Sequence, residues 1–261
     1  MEEERSWTWR DLEALILVLV FTVLVYLLSM HVHTALALSA ISHLYIITAA
    51  MLYFFAHRNP SVGETYESFF LLFIIEGLTG VALVALVLSG LYGARYVVIY
   101  AVQLGLILAA CRAWDDLGSL RLRWPRTLSS LVLAVVGGLL FGSFMVSAGE
   151  GIMEDHLSAP LWGLLQAIVL APLTEELLFR GLMYTKVRRE FPIIAAYAVS
   201  GVFAIVHLKR RLSVPALFGI FAYGLVATMA MDDADSILPP VIMHATANAV
   251  IYSGLIGLAL A

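Results

Sequence analysis

The stretch Phe69–Leu88 reads FFLLFIIEGLTGVALVALVL and contains one charged residue, Glu76. About 20 consecutive apolar residues are enough for an α-helix to cross the hydrocarbon core of a bilayer. The stretch therefore predicts a transmembrane helix, which we extend over 69–92. A carboxylate in the middle of such a helix is costly and indicates a function by default. From the sequence, Glu76 faces either the helix bundle or a partner subunit.

The whole composition supports a membrane protein. Of 261 residues, 62% are apolar and 13% are charged, whereas a soluble domain has about 25% charged residues. So few charges could not cover a soluble surface of this size. The net charge of −4 and the lack of a basic stripe argue against a nucleic-acid partner. Cys111 cannot form an internal disulfide, and we expect a small buried side chain there.

Runs of similar apolarity continue along the chain and favour helices over strands. They are too long for the ten-residue alternating strands of a membrane barrel. We therefore predict an all-α, polytopic membrane protein, a bundle of eight to nine transmembrane helices around a polar intramembrane cavity. Small residues such as Gly137, Gly138, Gly142 and Gly201 would let later helices approach closely. The predicted spans are 12–30, 34–56, 69–92, 95–113, 127–148, 160–184, 192–208, 213–231 and 237–260.

The distribution of Lys and Arg predicts the orientation, because cytoplasmic loops are enriched in both. With a cytoplasmic N-terminus, ten such residues fall in inside loops and four in outside loops. We expect a multi-pass protein of the cell membrane in this orientation, with the first span kept as an anchor. The basic cluster 209–211 falls outside and disagrees, which suggests that span 192–208 is re-entrant, short or tilted.

The sixth span contains three charged residues in PLTEELLFRG, which covers 172–181. Glu176 and Arg180 are four residues apart, so they share a helix face in the favourable acid-before-base order. Glu175 points about 100° away around the axis, free to face a cavity. There it could act as a general base. Alternatively, the pair serves only helix packing and Glu175 has no chemical role.

Two later helices add polar residues to this set. His207 follows Phe203 near the end of the seventh span, and His244 and Asn248 lie one turn apart on the ninth. Together with Glu175 they supply a base, a partner that positions water, and donors for an oxyanion. At about 1.5 Å per residue, Glu175 and His244 would lie about 10–14 Å from the cytoplasmic face. His207 would lie deeper unless its helix tilts or shifts. Five other histidines lie in or near predicted loops or span ends, and the sequence places no comparable polar residues with them: His31, His33, His43, His57 and His156.

The three motifs formed by these residues resemble EExxxR, FxxxH and HxxxN of the CPBP family of intramembrane proteases. This family includes the Rce1-like CAAX prenyl endopeptidases. The motifs occur in the same order, each on a predicted membrane helix. The resemblance covers roughly 127–260, so we divide the chain into an N-terminal transmembrane extension (1–122) and a catalytic transmembrane domain (123–261).

The resemblance implies an intramembrane endopeptidase that uses glutamate and needs neither metal nor another cofactor. It implies that Glu175 activates water with the help of His207, and that His244 and Asn248 stabilise the oxyanion. Supporting or substrate-binding roles would fall to Glu176, Arg180 and Phe203. The implied partners are the lipid bilayer and a membrane-associated or prenylated peptide.

Two departures and two alternatives bear on this hypothesis. Eukaryotic members have further histidines after the second motif, whereas Leu208-Lys209-Arg210 follows His207 here. The sequence is thus more similar to the prokaryotic branch, whose members have varied roles. A zinc hydrolase with Glu175, His207 and His244 as ligands is one alternative, although HExxH is absent. A non-enzymatic immunity-type or scaffold protein is the other. A transporter fits less well, since no inverted repeat is evident.

Overall fold

Helices make up most of the residues that the computed structural model describes, which are 9–29, 35–58, 62–89, 95–148, 160–210 and 212–259. No strand occurs in these ranges, and the prediction of an all-α membrane protein is confirmed. Three of the histidines for which the sequence predicts no role in the site, His31, His33 and His156, lie outside the described residues. The helices are α1 (Trp9–Ser29), α2 (Ala35–Arg58), α3 (Gly63–Leu88), α4 (Arg95–Ala113), α5 (Leu128–Ser147), α6 (160–190), α7 (Ala195–Val206), α8 (Val214–Ala234) and α9 (Leu238–Ala259).

In the described part of the chain, three helices have both the length and the apolarity to cross a membrane. These are α3, over Gly63–Leu86, together with the whole of α5 and α8. Within the described residues, α1, α2, α4 and α7 contain shorter apolar stretches of 10–17 residues. The predicted helix around Glu76 is therefore confirmed as a candidate span.

Helix α6 is continuous but wound unevenly. Two π-helical segments, Gln166–Leu170 and Leu177–Tyr184, interrupt its α-helical parts. Pro172 follows the first segment; it has no N–H for the carbonyl four residues earlier, and its ring crowds that carbonyl. A wider turn before the proline relieves this conflict. Single π turns of this kind often occur at functional sites, and the second segment begins directly after Glu176.

Helices α5 and α9 approach closely at two glycines, as the sequence predicts. A Cβ atom on Gly138 would lie 2.5 Å from the Met243 carbonyl oxygen, and one on Gly142 would lie 2.7 Å from that of Ala247. No larger residue fits at either position without moving a helix backbone. Gly201, by contrast, has nothing within 4 Å of a Cβ, so it makes no such approach.

Helix α7 is the short element that the basic cluster suggested. Its 12 residues span about 18 Å at 1.5 Å per residue, against about 30 Å for the hydrocarbon core. A 3-10 turn, His207–Arg210, follows it. The expectation that His207 lies deeper than Glu175 is wrong, because the short helix places the two side chains in contact range, 3.8 Å apart.

Charged side chains join the helices at one end of the bundle. Asp232, near the end of α8, binds Arg121 at 2.9 Å and Arg188 at 2.6 Å and accepts a hydrogen bond from Tyr184 at 2.6 Å. Asp235 pairs with Arg126 at 2.8 Å and also with Arg123. This end therefore gathers basic residues from the loop 121–126 and from the last turns of α6.

A second network at the same end joins α3 to α6. Lys186 is buried; its Nζ lies 2.9 Å from Glu67 Oε2 and 4.5 Å from the centre of the Trp114 ring. The carboxylate of Glu190 accepts hydrogen bonds from the first backbone N–H groups of α3, those of Glu64 and Thr65, at 2.8 and 3.0 Å. The N-terminal helices are thus fixed to the helix that carries the EExxxR motif.

Candidate active site

Glu176 is the centre of a buried polar cluster. Its side chain is fully buried, and Oε2 lies 3.2 Å from Nη1 of Arg180, one turn further along α6. Its Oε1 atom lies 2.8 Å from Nδ1 of His244 on α9 and accepts a hydrogen bond from the Tyr223 hydroxyl on α8 at 3.1 Å. Three helices therefore meet at one carboxylate, whose charge the adjacent guanidinium balances.

The Phe203 ring packs against the Arg180 guanidinium of this cluster. The guanidinium carbon of Arg180 lies 4.0 Å from the centre of the Phe203 ring, in range for a cation–π interaction. The same ring centre is 4.7 Å from that of His207 and 6.0 Å from that of His244. The phenylalanine of the FxxxH motif thus packs against the cation and both histidines.

Arg180 occupies space that a glycine leaves open. A Cβ on Gly224 would lie 3.1 Å from Nη2 of Arg180 and 2.8 Å from Cβ of Ser200. Nε and Nη2 of Arg180 and the Ser200 hydroxyl are buried without a hydrogen-bond partner among the described residues. Gly224 therefore permits the close packing of α7, α8 and the arginine.

Glu175 faces a different direction from Glu176, as the helical spacing predicts. Its side chain remains 20% exposed, and Oε2 lies 3.8 Å from Nε2 of His207 and 3.9 Å from Nε2 of His244. Oε2 itself is buried and has no hydrogen-bond partner among the described residues. Glu175 therefore has one oxygen directed between two imidazoles, too far for a direct hydrogen bond to either.

Both histidines are held through Nδ1. The His207 Nδ1 lies 2.7 Å from the backbone oxygen of Phe203, and a carbonyl can only accept, so Nδ1 carries the proton. The His244 Nδ1 likewise donates to the ionised carboxylate of Glu176. In each ring, Nε2 is the nitrogen presented to Glu175.

Asn248 lies one turn beyond His244 and contacts α6. Its amide Nδ2 donates to the backbone oxygen of Ala167 at 2.7 Å. Ala167 belongs to the π-helical segment Gln166–Leu170, where the wider turn alters the backbone hydrogen bonding. The third motif is therefore anchored to the helix that carries the first.

A cavity of about 190 Å³ adjoins Glu175 and His207. The N-terminal helices supply part of its wall, including Glu76 from α3 and Tyr100 and Gln103 from α4. This decides the question that the sequence left open, because Glu76 faces the bundle. The sequence reasoning missed Tyr100, Gln103 and Tyr223. Polar groups within apolar helices are the signal that could have identified them, since a buried tyrosine hydroxyl usually has a partner.

The described residues contain no group of three or more His, Cys, Asp or Glu side chains placed to hold one metal ion. His244 already uses Nδ1 for Glu176, and His207 uses Nδ1 for a carbonyl. Among the residues that the structure describes here, the two Nε2 atoms and one Glu175 oxygen converge. The geometry thus suits a hydrogen-bonded molecule between these three atoms.

The fold and the site define an all-α membrane protein with a Glu/His cluster inside its helix bundle. Comparison with known families agrees: residues 157–250 match the type II CAAX prenyl endopeptidase Rce1-like family. This part of the chain is therefore similar to that family, and all three motifs fall within the matched residues.

A curated relative gives a weaker similarity. A protein of Escherichia coli described as an uncharacterized 24.3 kDa protein is 26% identical over 132 residues, which are 48% of this chain and 60% of the relative. The match thus spans less than two thirds of that relative. No solved structure matches the chain.

Proposed function

We propose that this protein is an intramembrane endopeptidase in which Glu175 activates a water molecule to hydrolyse a peptide bond. The observation that carries the proposal is the convergence of Glu175 Oε2 with Nε2 of His207 and His244, at 3.8 and 3.9 Å. The similarity of residues 157–250 to the Rce1-like family supports the class of reaction.

A water molecule fits the separation between these three atoms. Polar groups more than about 3.5 Å apart are commonly bridged by water, and such a water would hydrogen-bond to Glu175 and to an imidazole at once. His207 presents an unprotonated Nε2 in its neutral form, because its proton is on Nδ1. It therefore accepts a hydrogen bond from the water and orients the oxygen lone pair towards the substrate.

The bond changes then balance without a covalent intermediate. Glu175 removes a proton from the water as its oxygen attacks the scissile carbonyl carbon, which gives a tetrahedral oxyanion. The C–N bond breaks as the leaving nitrogen takes the proton back from Glu175. Two groups are released, a carboxylic acid and an amine.

His244 and Asn248 are placed to stabilise the oxyanion. When His244 carries both ring protons, Nδ1 donates to Glu176 and Nε2–H can donate to the developing charge. One N–H of the Asn248 amide is used by Ala167, and the amide has a second N–H to offer. These donors act strongly where water is excluded and the effective dielectric constant is low.

Glu176, Arg180 and Phe203 serve as supporting residues in this proposal. Arg180 is fully buried behind Glu176, so it would pair with that carboxylate without reaching a substrate. Phe203 packs between the cation and both imidazoles and would fix their orientation. Positioning of this kind is a large part of how enzymes lower a barrier.

The substrate in this proposal is a membrane-associated peptide, with a C-terminal prenylated CAAX protein as the first candidate. We place the charged end of the bundle and the N-terminus in the cytoplasm. Support comes from the basic residues of 121–126 and 186–189 that meet at this end, because cytoplasmic loops are enriched in Lys and Arg.

Cleavage of a farnesylated CAAX peptide and of its unprenylated counterpart by purified protein tests the proposal. We expect cleavage that persists in a strong chelator and falls by about 10²–10⁴-fold in Glu175→Gln. Glu13→Gln, which changes an exposed glutamate on α1, is the matched control and should retain activity. Loss of activity with chelator would favour the zinc hydrolase, and full activity of Glu175→Gln would refute the glutamate mechanism.

A further inference from the structure

A second cavity, of about 720 Å³, lies between α5 and α8, and Met243 of α9 also lines it. It shares no lining residue with the cavity beside Glu175. Its volume is within the range of about 300–1,000 Å³ that is usual for ligand sites. None of the described lining residues is charged, and Tyr223 alone among them has an oxygen in its side chain. The cavity therefore suits a hydrocarbon chain.

The cavity lies on the surface that the helices present to the bilayer. Both α5 and α8 have the length and apolarity of membrane spans. Three large apolar side chains of the lining, Leu140, Phe218 and Val226, are at least half exposed. A void against such side chains would forfeit their dispersion contacts. The cavity is thus continuous with the lipid-facing surface, and lipid chains are the molecules in contact with that surface.

The extent of the cavity matches one leaflet of the bilayer. Along α8 it reaches from Pro215 to Val226, 11 residues apart, which is about 16 Å at 1.5 Å per residue. Half of a hydrocarbon core of about 30 Å is about 15 Å. The outer end of the cavity is at Pro215, in the first turn of α8, and at Phe144, in the last turn of α5. The charged end of the bundle is at the opposite ends of both helices, where Arg126 pairs with Asp235.

The inner end of the cavity adjoins the cluster around Glu176. The Tyr223 ring lines the cavity and lies 4.9 Å from the Phe141 ring, centre to centre. The Tyr223 hydroxyl donates to Oε1 of Glu176, the same oxygen that contacts His244. Met243, which also lines the cavity, directly precedes His244 in the chain. A chain in the cavity would therefore pack against residues that hold the buried cluster in place.

We propose that this cavity binds one acyl chain of a bilayer phospholipid from the leaflet away from the charged end. The carboxyl end of the chain would lie near Phe144 and Pro215, and its terminal methyl group near Tyr223 and Met243. A lipid group on a substrate that approaches from the charged end would have to enter in the opposite direction. The binding of the phospholipid does not rest on the proposed hydrolysis, and its test needs no turnover.

Photo-cross-linking of the full-length wild-type protein in phosphatidylcholine nanodiscs provides the test. Two probes are added in trace amounts, each a phosphatidylcholine with one diazirine, either near the carboxyl end or near the methyl end of an acyl chain. We expect at least about tenfold more cross-linking to the cavity residues than to the exposed face of α2, equivalent to about 1.4 kcal/mol. The first probe should label 215–218 and Phe144, and the second should label 223–226 and Met243.

A tryptophan that fills the cavity should exclude the lipid chain. Ala222 is exposed and lines the cavity, so Ala222→Trp should reduce cross-linking there at least about tenfold. Val226→Trp is the second filling variant, and unfolding temperatures show that each variant is folded. Ala50→Trp makes the same change at an exposed alanine of α2 and should leave the cross-linking unchanged.

Three results would overturn the inference. They are even labelling of all exposed helix faces, full cross-linking in folded filling variants, and a reversed order of the two probes along α8. Competition by an added farnesylated peptide would also overturn it, because the cavity would then bind the isoprenoid of a substrate. Failure of the proposed function appears separately, as a protein that binds the lipid probes as expected but cleaves no peptide.

Discussion

Nδ1 of His244 lies 2.8 Å from Oε1 of Glu176, although 68 positions separate the two residues in the chain. This contact joins α9 to α6 and turns the opposite ring nitrogen, Nε2, towards Glu175. A buried contact thereby controls the orientation of the imidazole beside Glu175. Changes to the pair should affect stability and activity together.

Replacing Arg180 with Met should strongly destabilise the protein, because Glu176 would remain as a buried carboxylate without its cation. Loss of one partner of a buried ion pair costs about 3–5 kcal/mol. The double variant Glu176→Gln/Arg180→Met should recover much of the loss, since neither charge remains. Thermal unfolding in detergent measures both effects. A double variant no more stable than Arg180→Met would contradict this account.

Gly224→Ala should disturb the site through packing alone. The added Cβ would lie 2.8 Å from Cβ of Ser200 and 3.1 Å from Nη2 of Arg180, so α7 and α8 must separate or the arginine must move. Overpacking of this kind costs about 1–3 kcal/mol. Gly201→Ala is the matched control, because nothing lies within 4 Å of its Cβ. Equal melting temperatures of the two variants would refute the packing argument.

Asn248→Ala should reduce activity far more than stability. The substitution removes a single hydrogen bond to the Ala167 carbonyl, worth about 1 kcal/mol. It also removes the proposed oxyanion donor, for which about 10²–10³-fold in kcat is typical. The kcat and the unfolding temperature of the same preparation separate the two effects. A change in unfolding temperature with unaltered kcat would assign Asn248 a purely structural role.

Acid should weaken the charged end of the bundle through Asp116. Burial alone would raise the pKa of this carboxyl, but hydrogen bonds from Arg189 and Ser119, with the charges of Arg189 and Lys186, lower it overall. A lowered pKa in the folded state stabilises the protein above the unfolded value of about 3.9. This contribution is lost as the pH falls through the folded-state pKa.

Asp116→Asn should therefore be less stable than wild type near pH 6, and the difference should shrink below about pH 4. Unfolding temperatures between these pH values measure it. Asp115→Asn changes an exposed neighbour and serves as the control. A difference that stays constant with pH would show that the Asp116 carboxylate does not carry the effect.

Sequence reasoning could predict the local relationships within the site. The pairing of Glu176 with Arg180 and the separate direction of Glu175 follow from the geometry of one helix turn, and both agree with the structure. The close approach at Gly138 and Gly142 also agrees. Each of these depends on residues a few positions apart or on side-chain size alone.

Contacts between distant helices were beyond that reasoning. Tyr223 looks like an ordinary residue of an apolar span until its hydroxyl is found on Glu176. The expectation that His207 lies deeper in the membrane than Glu175 was wrong. Helix α7 ends after 12 residues because of packing and loop geometry, which hydropathy does not record. The π-helical segments of α6 likewise depend on how the helix is held by its neighbours.

The sequence by itself determined that the chain is a helical membrane protein and which helices carry the Glu, His and Asn residues. Apolar length and helical spacing are properties of each segment alone, so they can be read without its neighbours. Only the tertiary structure decided that Glu76 joins Glu175 in one cavity. The rotation of α3 about its own axis determines this, and that rotation is set by packing against α2, α4 and α6.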